Sequence, residues 1–143
     1  MNFRKKKIVF TNGCFDIIHA GHVEYLKHAR GLGDRLVVGL NSDNSVSLLK
    51  GPNRPINKFE DRALVLKSIR YVDEVIGFSE PTPIELITRV KPDVLIKGGD
   101  YKPEEIVGYE FVTSYGGQVV SGLMIENKST TDIITRIHKC HVS

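Results

Sequence analysis

Five short β-rich runs, separated by segments with helical spacing or capping signals, constrain this chain more than any other feature. Ile8-Val9-Phe10-Thr11, Leu36-Val37-Val38-Gly39-Leu40, Glu74-Val75-Ile76-Gly77-Phe78, Val94-Leu95-Ile96 and residues 118–121 read as strands. The second is apolar without alternation, as in strands buried on both faces of a parallel sheet. Helices are expected over 22–32, from Asn41-Ser42-Asp43 through Leu49, from Phe59 to about Arg70, over 83–90, around 104–115, and from Ser129-Thr130-Thr131 to about Lys139. In the third of these, Ala63, Leu64, Val65, Leu66 and Ile69 supply the expected buried stripe. Such alternation implies an α/β fold. It is Rossmann-like and doubly wound, with about five parallel strands, right-handed crossovers and helices on both faces. Ligands of such sheets bind beyond the carboxyl ends of the strands, where strand order reverses.

At 143 residues the chain forms one domain with one core. No apolar run approaches the roughly 20 residues that span a bilayer, and Met1-Asn2-Phe3-Arg4-Lys5-Lys6-Lys7 leads into the first strand without the apolar region of a signal peptide. A cytoplasmic location is expected. The two cysteines, Cys14 and Cys140, make no disulfide framework and lack metal-ligand spacing. A net charge of +3 suits a small anionic substrate. The basic run at 4–7 reads as a solvated lead-in, and no aromatic-interleaved basic stripe points to nucleic acid.

The chemistry-bearing stretch is Thr11-Asn12-Gly13-Cys14-Phe15-Asp16, followed by His19-Ala20-Gly21-His22 at the mouth of the first helix. A glycine turn with free backbone N–H groups, beside a helix N-terminus, suits a polyphosphate. His19 and His22, three apart, face the same way on a helix. They could be caps or surface residues, and two ligands are too few for zinc, so no metal site is assigned. The spacing fits neither a P-loop nor a dinucleotide fingerprint.

Three further clusters fall at strand ends or on the Gly- and Pro-containing loop at 50–58. Lys50, Arg54 and Arg62 could hold a phosphate or form a solvated charged loop. In Lys97-Gly98-Gly99-Asp100-Tyr101 the glycines allow close approach of backbone to ligand, and Asp100 could accept from a hydroxyl or cap a turn. Ser129, Thr130 and Thr131 cap the last helix, bind phosphate, or do both.

With these residues in place, the His-Ala-Gly-His element and the Ser-Thr-Thr start of the last helix resemble the H-x-G-H nucleotidyltransferase superfamily. Asn41-Ser42-Asp43, Leu49-Lys50-Gly51, Arg54-Pro55-Ile56, Arg62, Tyr71-Val72-Asp73-Glu74-Val75 and Ile96–Tyr101 resemble its D-glycero-β-D-manno-heptose 1-phosphate adenylyltransferase branch over nearly the whole chain. That resemblance implies transfer of AMP from ATP to the sugar 1-phosphate with loss of pyrophosphate, for lipopolysaccharide or related glycans. It implies His19, His22 and Lys50 as catalytic residues. Thr11, Asn12, Gly13, Cys14, Phe15, Gly21, Gly98, Asp100, Ser129, Thr130 and Thr131 would contact nucleotide. Asp16, Asn41, Asp43, Arg54 and Arg62 would contact the sugar phosphate. It also implies Mg²⁺ with the phosphates, a homodimer, and a sugar kinase on a separate chain. Lys128 would add charge beside the triphosphate or point outward. A CDP-glycerol-type or FAD-forming relative shares the histidine element, and a non-catalytic nucleotide sensor could share the scaffold.

Overall fold

Strands β1 (Ile8–Gly13), β2 (Arg35–Asn41), β3 (Glu74–Phe78), β4 (Val94–Gly98) and β5 (Gln118–Gly122) make one parallel sheet in the order β3-β2-β1-β4-β5. Helices α1 (Ala20–Arg30), α2 (Asp43–Lys50), α3 (Phe59–Lys67), α4 (Ile84–Val90), α5 (Tyr109–Ser114) and α6 (Thr130–Val142) connect and flank it. The computed structural model describes residues 5–122 and 130–142.

Because side chains alternate across a strand, the core divides into two halves. Val9, Leu36, Val38, Leu40, Val94 and Ile96 meet Leu26 and Ala29 of α1 and Ala63 and Leu66 of α3. Phe10, Val37 and Leu95 point the other way, onto Leu86 and Ile87 of α4 and Val112 of α5. Helices therefore cover both faces, as the alternation of elements requires. Among the described residues no helix is long and apolar enough to cross a membrane.

Three elements differ from expectation. α1 starts at Ala20, two residues early, because His19 caps it. α3 stops at Lys67, and Leu64 and Val65 are 65% and 46% exposed. Four consecutive apolar residues cannot share one face of a 3.6-residue helix, so Ala63 and Leu66 turn inward and the pair between them outward. The helix expected around 104–115 is split into a 3₁₀ turn (Pro103–Glu105) and α5. Between them Gly108 takes φ 98°, where an added Cβ would also lie 3.0 Å from Ile87 and Leu95.

Candidate active site

The order of the sheet reverses between β1 and β4, and their pairing lasts only from Val9↔Val94 to Phe10↔Leu95. β1 stays paired with β2 through Gly13. Tyr25 of α1 fills the parting between β1 and β4. Its hydroxyl is 2.7 Å from Thr11 Oγ1 and donates to the Ile96 carbonyl at 3.3 Å. Burial pushes its pKa up to about 12, so it stays protonated. A Cβ on Gly98 or Gly122 would lie 3.2 or 2.6 Å from the Tyr25 ring. Thr11 is fully buried with its hydroxyl on Tyr25, which leaves its backbone for any contact with a ligand, and the bare Cα of exposed Gly98 lies against the same ring. Tyr25 was not singled out from sequence, although its position three past His22 places it on the same helix face.

Beyond Gly13 the chain enters a strained turn. Phe15 and Ile17 take φ 46° and 53°, costly for a bulky and a β-branched residue. The buried Phe15 ring packs over Gly13 and lies 5.6 Å from the His22 ring. Half-buried Asn12 and Cys14 flank the turn. Burial pushes the Cys14 thiol up, against the charges of Lys50, Arg62 and Arg54.

The strained turn delivers two histidines that cap α1 reciprocally. His19 Nδ1 accepts from the Gly21 amide at 3.0 Å, and His22 Nδ1 accepts from the His19 amide at 3.1 Å. A ring nitrogen that accepts from N–H carries no proton, so each neutral ring holds its proton on Nε2. The rings lie 4.1 Å apart. Burial first, and the positive charge of Lys50 beside it, lower the His22 pKa to about 4. His22 is thus a neutral Nε2–H donor at physiological pH.

Asp16 and Arg62 turn out to be structural ties. Asp16 is 2% exposed. Its carboxylate accepts from Arg54 Nε at 3.1 Å, the Ile56 amide at 2.6 Å and the Asn57 amide at 2.9 Å. Burial would raise its pKa, but the Asn57 and Ile56 amides and Arg54 outweigh it and hold the carboxyl below its ordinary value. Arg62, 1% exposed, donates to the carbonyls of Asn57, Cys14 and Asn41 and to Asp43 Oδ1. Asn41 is buried with its amide on Ser45. Asp16, Asn41 and Arg62, expected at the substrate, bond within the chain through the Asp16 carboxylate, the Asn41 amide nitrogen and the Arg62 guanidinium. Asp43 is half-exposed but paired with Arg62.

Lys50, exposed at the end of α2, projects its charge onto both Cys14 and His22. Arg54 has one nitrogen on Asp16, while its Nη2 is buried with no partner. An unpaired buried donor of this kind costs about 1–3 kcal/mol unless something accepts from it.

The start of α6 joins the same turn across the chain. Thr130 Oγ1 donates to the Asp16 carbonyl at 2.7 Å, with the Ile17 carbonyl at 3.5 Å. Thr131 is exposed on the first turn. Ser129 and Lys128 lie outside the described residues. Asp100 is exposed beyond β4, after Gly99 at φ 112°. Among the described residues no group of three or more His, Cys, Asp or Glu is placed to hold a metal ion.

A cradle built from β1, a histidine-capped α1 and the start of α6 is matched over residues 10–136 by the family model described as cytidylyltransferase-like. The chain belongs to the cytidylyltransferase-like family. It is 59% identical over 133 residues to the bifunctional protein HldE of Pseudomonas syringae pv. syringae (strain B728a), covering 93% of this chain and 28% of that protein. It is equally identical over 133 residues to the HldE of Campylobacter concisus (strain 13826), covering 93% of this chain and 27% of that one. This family member thus spans little more than a quarter of these relatives. A lipopolysaccharide core biosynthesis protein from Thermoplasma volcanium GSS1 superposes with TM-score 0.71 at 28% identity, over 85% of this chain and 100% of that one. Pantoate-beta-alanine ligase from Francisella tularensis, at TM-score 0.58 and 17% identity over 96% of this chain and 72% of that one, shares the fold.

Proposed function

We propose that this domain transfers AMP from ATP to D-glycero-β-D-manno-heptose 1-phosphate, forming ADP-heptose and pyrophosphate for lipopolysaccharide or surface-glycan synthesis. The observation that carries the reading is the Thr130–Asp16 contact, which brings the α6 N-terminus onto the loop of the two histidines. Two helix N-termini then face one polyphosphate.

The chemistry follows from charge. The sugar phosphate is already anionic at neutral pH, so its oxygen attacks the α-phosphate without a general base, and pyrophosphate leaves with the electron pair. The site must hold two repelling anions in line and stabilise the charge that develops. His19 and His22 donate through Nε2–H to phosphate oxygens, while Lys50 and the unpaired Nη2 of Arg54 draw in the sugar phosphate. A divalent cation, where one is bound, would supply neutralisation of phosphate charge, and no residue of this chain is assigned to hold it.

The test measures pyrophosphate release with ATP or CTP, each paired with heptose 1-phosphate or glycerol 3-phosphate. ATP with the heptose phosphate is the expected productive pair. Productive CTP and glycerol 3-phosphate would move the assignment to the CDP-glycerol-type branch. Binding without release for any pair would leave a nucleotide sensor. We further propose that the domain acts in the cytoplasm as a homodimer, with outward Leu64 and Val65 covered by a second copy. Light scattering giving a monomer mass would refute the dimer.

A further inference from the structure

Asp16 stands where three distant segments meet. Its side chain binds the connection between α2 and α3 at Arg54, Ile56 and Asn57, 38 to 41 residues away. Its carbonyl binds Thr130, 114 residues away. Its own backbone lies between the two strained residues, Phe15 and Ile17, that lead into the His19 cap.

Relaxation of that turn would move His19, while loss of the carboxylate would release Arg54, whose Nη2 is buried and unpaired. We propose that Asp16 is a positioning residue for the second substrate. It aims Arg54 Nη2 at the sugar phosphate and ties that anion's arrival to the loop presenting the histidines. This rests on the adenylyl-transfer reading. Neither arm of the tie is available to another residue. Arg62, the arginine on α3, the helix that follows Arg54, already donates to Cys14, Asn41, Asn57 and Asp43.

An acid that served only the fold would weaken both substrates and the melting temperature together. A positioning acid separates them. Asp16→Asn keeps the shape but turns one acceptor into a donor, which faces either Arg54 Nε and the Ile56 amide together or the Asn57 amide. In that variant the KM for sugar phosphate is expected to rise at least tenfold, while the Kd for a non-hydrolysable ATP analogue stays within about twofold. Arg54→Gln should raise the same KM alone, and the double variant should be no worse than the poorer single one, since both act through one guanidinium.

Unchanged sugar-phosphate KM in either single variant, additive losses in the double, or loss of ATP affinity in step with KM would each overturn the proposal. Should Asp16→Asn fail to fold, Arg54→Gln decides alone. If the wild-type chain releases no pyrophosphate, the reaction assigned above fails. Calorimetric titration of sugar 1-phosphate into wild-type, Asp16→Asn and Arg54→Gln protein then judges Asp16: equal affinities in all three would overturn it, and at least tenfold weaker binding in both variants would uphold it.

Discussion

Under the proposed reaction each histidine of the capping pair would do two jobs through two nitrogens, the observed cap through Nδ1 and a phosphate contact through Nε2, and substitutions that mimic one nitrogen at a time separate them. Asparagine places an acceptor near Nδ1 and is among the best N-caps, whereas glutamine reaches the position of Nε2. His19→Asn is therefore expected to melt within a few degrees of wild type while kcat falls about 10²–10³-fold, the usual cost of a lost oxyanion donor. His22→Gln should retain more turnover than His22→Asn, yet lose about 0.5–2 kcal/mol because the His19 amide loses its acceptor. Thermal melts beside pyrophosphate release read both, and a His22→Asn variant more active than His22→Gln would refute the assignment of jobs. The histidine pair at the mouth of a helix was legible in the sequence, because the signal is local, although the His19 cap that starts α1 two residues early was not. Nor were the roles of Asp16 and Arg62. Their residue types announce ligand chemistry equally well, and the partners of their side chains are chosen by the folded chain at separations of up to 48 residues.

At the scale of elements, strand positions were legible but the device aligning their ends was not. An aspartate precedes β2, β3 and β4, and each makes a reciprocal pair with a residue at the start of its neighbouring strand. Asp34, Asp73 and Asp93 donate their amides to the carbonyls of Lys7, Leu36 and Ile8. Their carboxylates accept the amides of those same residues, each at 2.8 Å. Such first amides of a parallel strand have no other ladder partner, which is why the pattern repeats. In sequence an aspartate before an apolar run reads only as a turn, so nothing local names its partner. Asp93→Ala is expected to cost about 1–3 kcal/mol by orphaning the Ile8 amide, and Asp34→Ala less, because the Lys7 end is exposed to water. Urea denaturation supplies the comparison. Both variants should bind the ATP analogue normally, since these pairs lie at the amino ends of the strands. A destabilisation at Asp34 equal to that at Asp93 would show that burial of the freed amide does not set the cost.

For the molecule as a whole, the site is built at the expense of acid stability. His22 is neutral in the folded protein with a pKa of about 4, against an ordinary value of 6.5. Between those values the unfolded chain binds a proton that the folded one refuses, so stability rises with pH across that window. Read downward, His22 leaves stability intact above about pH 6.5 and withdraws it progressively as pH falls toward about 4. Asp16 works in the same direction at lower pH. Its carboxyl is held below its ordinary value in the fold, so the stability it supplies is present above the unfolded value and lost as pH falls through the folded one. Denaturation midpoints at pH 8, 7, 6 and 5 should therefore decline most steeply in the last two steps. His22→Asn keeps an acceptor for the cap and removes the titration, so its midpoints should decline less over the same steps. Parallel declines in the two proteins would mean that His22 titrates normally in the fold. The Nε2–H donor assigned to it at the phosphates would then be a mixture of neutral and charged rings near pH 6.5, and turnover would carry that pKa.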